Sequence, residues 1–166
     1  MNDQIQNQLR RVRQDARLVP ALAAVKEAKQ VPGATSKEVY AAAIRASRDS
    51  FIREGARALD DEVRERALLL ASVAAVDSQV SLADLPHGAD KTRHAFLSGW
   101  LSLKIARAAD VVLPRWVAEK VGIVGSFALG FLKEVYDMVF ATGFSRADLV
   151  ADWSGARLPF SRGART

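Results

Sequence analysis

The chain contains no cysteine. That excludes disulfides, thiolate metal sites and a cysteine nucleophile. Proline and glycine are sparse, five and ten among 166 residues, and runs of alternating β-branched residues are missing. Strands therefore have little to build on. Long apolar runs are missing too. The longest apolar-plus-small stretch, Val121 to Leu132, is bounded by Glu119-Lys120 and Lys133-Glu134. It falls short of the ~20 residues that span a bilayer. Aromatic-basic interleaving of the RNA-binding kind is absent, so specific nucleic-acid recognition is not expected. The N-terminal stretch Met1-Asn2-Asp3-Gln4-Ile5-Gln6-Asn7-Gln8 is polar and lacks the apolar core of a signal peptide. The expected location is cytoplasmic or peripheral to a membrane.

What is abundant points one way. Apolar residues make up 49% of the chain, and alanine, leucine, arginine, lysine and glutamate are the better helix formers. An all-α fold is predicted, and the length suits one domain with a full core, or a core plus a helical extension. The formal charge is +5. Acids and bases balance through Asp90, so the whole excess arises from Lys91 onward. Arg157, Arg162 and Arg165 near the C-terminus have no acidic neighbours, a pattern of a solvated basic end or of a contact to phosphates.

The order of elements can be read from caps and breakers. Residues 3–30 read as two short helices or one helix kinked at Pro20. Val31-Pro32-Gly33 breaks the chain, and Thr35-x-x-Glu38 is a capping box that opens a helix with Val39, Tyr40, Ala43 and Ile44 on its apolar face. A third helix starts at Asp60-Asp61-Glu62, acids suited to a helix N-terminus, and runs to about Val76. Residues 78–89, with Pro86 and Gly88, read as a linker. The division is an N-terminal helical segment, 1–85, a three-helix unit, 86–158, and a basic tail, 159–166. The first segment has the amphipathic character of a scaffold or docking module, including self-association through its helices.

The second half is more specific. A helix from about Asp90 to Asp110 turns at Leu113-Pro114 into a helix from about Arg115 to Phe140. His94, Ser98, Ser102 and Ala106 form a small-residue stripe on the first, and Ala118, Gly122, Ser126, Gly130 and Glu134 form one on the second. Glycine costs ~1 kcal/mol relative to alanine in a helix interior, and close backbone approach between helices compensates for it. The predicted register pairs His94 with Glu134, Ser98 with Gly130, Ser102 with Ser126 and Ala106 with Gly122. Ser145 caps a third, short helix.

Three charged motifs then meet at one end of this hairpin: Asp90-Lys91-x-x-His94, Lys133-Glu134-x-x-Asp137 and Asp148-x-x-x-Asp152-x-x-Gly155. Each places its polar residues on one helix face. Three readings fit them. An ion network can lock the helices together. A divalent metal can sit among His94, Glu134, Asp137 and Asp152, since helical carboxylate bundles hold hard cations. A carboxylate cluster with a histidine can also supply a general base. The expected roles are packing for Ser98 and Ser102, and solvation for His87. Trp100, Trp116 and Trp153 suit either an interfacial belt or a core.

The order of motifs resembles the YfiM-like bacterial lipoprotein family and, more distantly, VanZ-like proteins. The resemblance covers about residues 90–156. It rests on Asp90, Lys91 and His94, then Lys133, Glu134 and Asp137, then Asp148, Leu149, Asp152 and Gly155. This chain departs from the family in having no acylated cysteine and in placing Arg157-Leu158-Pro159 where members continue an apolar helix. The resemblance implies a helical domain at or near the cell envelope. The function expected is that of a non-enzymatic accessory or assembly protein meeting a membrane surface or protein partner, without a cofactor. The alternative is a metal-assisted hydrolase acting on a phosphate- or lipid-linked substrate.

Overall fold

A computed structural model describes residues 2–77, 81–140 and 143–161. Arg162 and Arg165 of the basic tail, and Thr142 ahead of Ser145, lie outside the described residues. Seven α-helices make the fold 81% helical, with no strand among the described residues. They are α1 (Asn2–Gln14), α2 (Val19–Gln30), α3 (Ser36–Arg53), α4 (Asp60–Asp77), α5 (Ala89–Ala109), α6 (Arg115–Phe140) and α7 (Arg146–Arg157). One 3-10 turn, Ala16–Leu18, joins α1 to α2, and another, Leu158–Phe160, follows α7.

The boundaries follow local chemistry. Asp15 rather than Pro20 separates α1 from α2, because its carboxylate accepts from the Arg17 backbone N–H and ends the first helix. Pro20 then sits in the first turn of α2, where its missing N–H costs nothing. Thr35 and Glu38 form the reciprocal box that opens α3. A second cap comes from far along the chain. Asp84 accepts from both the backbone N–H and the hydroxyl of Ser36, each at 2.6 Å. The stretch before α5 is therefore fastened to α3, and Leu82 and Leu85 within it are buried.

α4 is the central element. Ala67, Leu68, Leu70, Ala71, Val73 and Ala74 are all buried, as expected of a helix that is apolar all round. It packs against α1, α2, α3 and α5. Near its end, the buried Lys29 donates to the Ala75 carbonyl at 3.3 Å. A single buried cluster runs from Leu9 through Val39, Leu68 and Phe96 to Ala151 and Leu158. It crosses the boundary expected at residues 85 and 86, and α5 joins the two halves.

The C-terminal hairpin packs through its small residues. A methyl on Gly122 would meet the Ser102 carbonyl oxygen and, at 2.8 Å, the Ala106 side chain. Ser126 donates to the Ser98 carbonyl at 2.8 Å. The pairing of Ala106 with Gly122 is thus as predicted near the turn. Farther along, Gly130 lies against the Asp152 carboxylate instead, because α7 inserts beside the stripe. α7 itself lies on α5 backbone to backbone, with Gly155 against Ala95 and with Gly99 close to the Gly155 carbonyl.

Candidate functional site

The N-terminus of α5, the C-terminal part of α6 and the N-terminus of α7 gather the polar residues that the sequence singles out. They form three hydrogen-bonded groups. In the first, Lys91 bridges Asp90 at 2.6 Å and Asp148 at 2.5 Å, tying α5 to α7. Burial lowers the Lys91 ammonium's pKa, but hydrogen bonds to Asp148 and Asp90 outweigh it and leave the lysine raised. The same bond to Lys91 holds the Asp90 carboxyl below its ordinary value.

The second group is centred on Asp152, which α7 carries almost wholly buried into the α5–α6 seam. Ser98 donates to Asp152 Oδ1 at 2.6 Å, and His94 Nδ1 stands 3.5 Å from the same oxygen. The bond to Asp152 raises the His94 pKa; burial opposes it, and the charges of Asp152 and Asp148 add to it. The aspartate lies between serine and histidine. A Ser-His-Asp relay needs the histidine in that middle place, so Ser98 is held by the carboxylate rather than activated by the imidazole.

The third group closes the end of α6. Glu134, 1% exposed, accepts from the Ser145 backbone N–H at 2.8 Å through one oxygen and from Lys133 at 2.9 Å through the other. Lys133 also reaches Asp137 at 2.7 Å. Burial pulls the Lys133 pKa down, and Asp137 and Glu134 reverse this and hold it well above its ordinary value. The Ser145 hydroxyl accepts from Asp148 N–H at 3.2 Å, so the loop before α7 is fixed by both ends of Ser145.

His94 therefore faces Asp152 and not Glu134, while Glu134 faces the α7 cap. The four residues suggested as metal ligands are shared between two groups, and Glu134 and Asp137 already bind Lys133. Among the described residues, no three His, Asp or Glu side chains are placed to hold a metal ion. The arrangement can lock three helices, bind a proton between His94 and Asp152, and present His94 to the space beside α5 and α6.

That space is a cavity of about 360 Å³ lined by His94, Ser98, Asp152 and Lys133 together with Leu97 and Leu129. The sequence gives Ser98 and Ser126 only a place on the packing stripes and Ser145 only a cap, and nothing in its spacing singles out Arg93. His87 is exposed in the turn before α5, as read. Trp100 is buried, whereas Trp116 and Trp153 are exposed.

The opposite side of α6 is apolar and uncovered. Trp116, Val124 and Leu132 are 64%, 61% and 61% exposed, and Val121, Phe131, Met138 and Val139 are exposed beside them. Two edge-on ring pairs, Phe127 with Trp153 at 5.3 Å and Phe131 with Phe144 at 6.4 Å, carry this face across to α7. Lys120 lies 5.1 Å from the Trp116 ring and Arg157 5.7 Å from the Trp153 ring. No helix among the described residues is long and apolar enough to cross a membrane. Compared with protein-family models, curated proteins and solved structures, the chain matches none.

Proposed function

We propose that this protein is a non-enzymatic accessory protein that lays α6 and the adjoining side of α7 against an anionic membrane surface. The observation that carries the proposal is the uncovered apolar face of α6. Large contiguous apolar patches on a folded surface mark contact sites. This helix has 26 residues and is therefore about 39 Å long, enough to lie along a surface.

Charge favours lipid over other occupants. Lys120 and Arg157 lie beside the exposed Trp116 and Trp153, and neither forms an ion pair among the described residues. Exposed aromatics bordered by unpaired cations suit the boundary between headgroups and acyl chains. The ion network behind α6 then serves as a brace, keeping the helix in place while its outer face is loaded.

Co-sedimentation with vesicles tests this. Phosphatidylglycerol vesicles should bind the protein, phosphatidylcholine vesicles should bind it more weakly, and the double substitution Val124→Asp, Leu132→Asp should release it. Equal binding by the double variant, or no binding to either vesicle, overturns the proposal. A change of oligomeric state in the double variant would assign the face to a second copy instead.

A further inference from the structure

Three adjoining cavities run beneath α1, between that helix and α4, α5 and α6. The first, of about 360 Å³, has apolar walls of Ile5, Leu97, Leu101 and Leu129, with His94 and Asp152 at one side. The second, of about 440 Å³, shares Ile5, Leu97, His94 and Lys133 with the first and adds Asp90 and Arg93. The third, of about 270 Å³, shares Gln6, Val76 and Arg93 with the second and is flanked by Arg10 and Arg13. Each approaches or falls within the size range of ligand pockets, and together they form one elongated groove.

The charges around this groove are unequal. Its two acids are engaged, Asp152 by Ser98 and His94 and Asp90 by Lys91. Arg93 forms no ion pair among the described residues, and its Nε is closed off from solvent without an acceptor. A buried donor left without a partner costs free energy that a bound acceptor recovers. A guanidinium is the side chain whose geometry best matches a carboxylate or phosphate. Next to it along α5, His94 is held towards its protonated form by Asp152.

We infer that this groove binds a single-chain anionic amphiphile, its carboxylate or phosphate head on Arg93 and its alkyl chain along Ile5, Leu97, Leu101 and Leu129. The apolar walls line the chain, while Arg93 supplies an unpaired positive charge at its end, with His94 beside it. α1 forms the roof. It is a polar helix whose Ile5 is the side chain bordering both larger cavities, so binding should order α1 against α5. This site uses different residues from the outer face of α6, and either can fail without the other.

Calorimetric titration of the full chain tests the inference, with dodecanoate, dodecyl phosphate and dodecyltrimethylammonium, each below its micelle concentration. Saturable one-to-one binding of at least one anion is expected, with the cation of the same chain length weaker by about tenfold or more. Preference between the two anions tells a fatty-acid head from a phosphate head. Arg93→Gln should weaken binding by about tenfold, and Leu97→Trp, which fills the groove, should abolish it. The double variant Val124→Asp, Leu132→Asp should bind as the wild type does. No saturable binding of either anion by the wild-type protein overturns the inference. So does equal binding of the cation, or loss of binding in the α6 double variant with retention in Arg93→Gln.

Discussion

His94 and Asp152 meet across the α5–α7 contact, with imidazole Nδ1 3.5 Å from a carboxylate oxygen that Ser98 already holds at 2.6 Å. Two helices distant in sequence thus share one proton-dependent bond. The pKa of His94 is raised above its ordinary value, first by that bond. A group with a raised folded-state pKa contributes stability that is complete below its unfolded pKa of about 6.5. The contribution is lost as pH rises through the folded-state value. Urea titrations of wild type and His94→Gln should therefore differ most at about pH 5 and least at about pH 9. The expected difference at the acid end is about 1 kcal/mol, modest because the bond is long. A gap that widens with pH would place the stabilising form of His94 on the neutral side.

Two glycines in the C-terminal unit should behave oppositely. A methyl on Gly155 would overlap the Ala95 carbonyl, which is backbone and has nowhere to move. Gly155→Ala should cost about 3 kcal/mol by forcing α7 off α5. A methyl on Gly125 would meet only the Ile105 side chain, at 3.3 Å and 3.4 Å. Gly125→Ala gains helix propensity of about 1 kcal/mol, so its melting temperature should match or exceed the wild type's. Thermal melts of the pair check the claim, and similar losses in both would contradict it.

Glu134 joins the end of α6 to the cap of α7. Glu134→Ala leaves the Ser145 N–H without its acceptor and removes a buried partner of Lys133. A loss of about 2 to 3 kcal/mol is expected. Glu134→Gln keeps an oxygen for Ser145 and should lose less than half as much. Because the carboxylates of this end bind Lys133, Ser145, Ser98 and Lys91, a chelator should leave the melting temperature unchanged. A chelator-dependent fall would mean that a metal displaces Lys133 from Glu134 and Asp137.

Much of this fold could be read from the chain, and the reasons differ between elements. Thr35 and Ser145 are local caps, satisfied within three residues, so their helices start where the spacing predicts. The start of α6 follows from Pro114 before it. The three charged motifs converge because i+4 spacing fixes a face, and hairpin geometry fixes which ends meet. The pairing within that cluster could not be read. It depends on how deeply α7 sinks between α5 and α6, which Gly99 and Gly155 allow and no local pattern encodes. The cap that Asp84 gives Ser36 was hidden for the same reason, since the two lie 48 residues apart. The exposure of α6 was hidden by its composition, which resembles that of a buried helix.

That exposure leads to the last prediction. If the apolar face of α6 lies outside the core, replacing its residues should barely affect folding. Val124→Gln and Leu132→Gln should each change stability by no more than about 0.5 kcal/mol, the usual range for surface positions. Leu68, fully buried in α4, provides the contrast: Leu68→Ala should cost about 2 to 5 kcal/mol. Urea denaturation at two protein concentrations separates the remaining cases. A loss at Val124 or Leu132 that does not depend on concentration would mean that other parts of the chain cover the face. A loss that grows on dilution would mean that a second copy covers it. Unchanged stability at both concentrations, alongside lost vesicle binding, is the result that a membrane-facing surface requires.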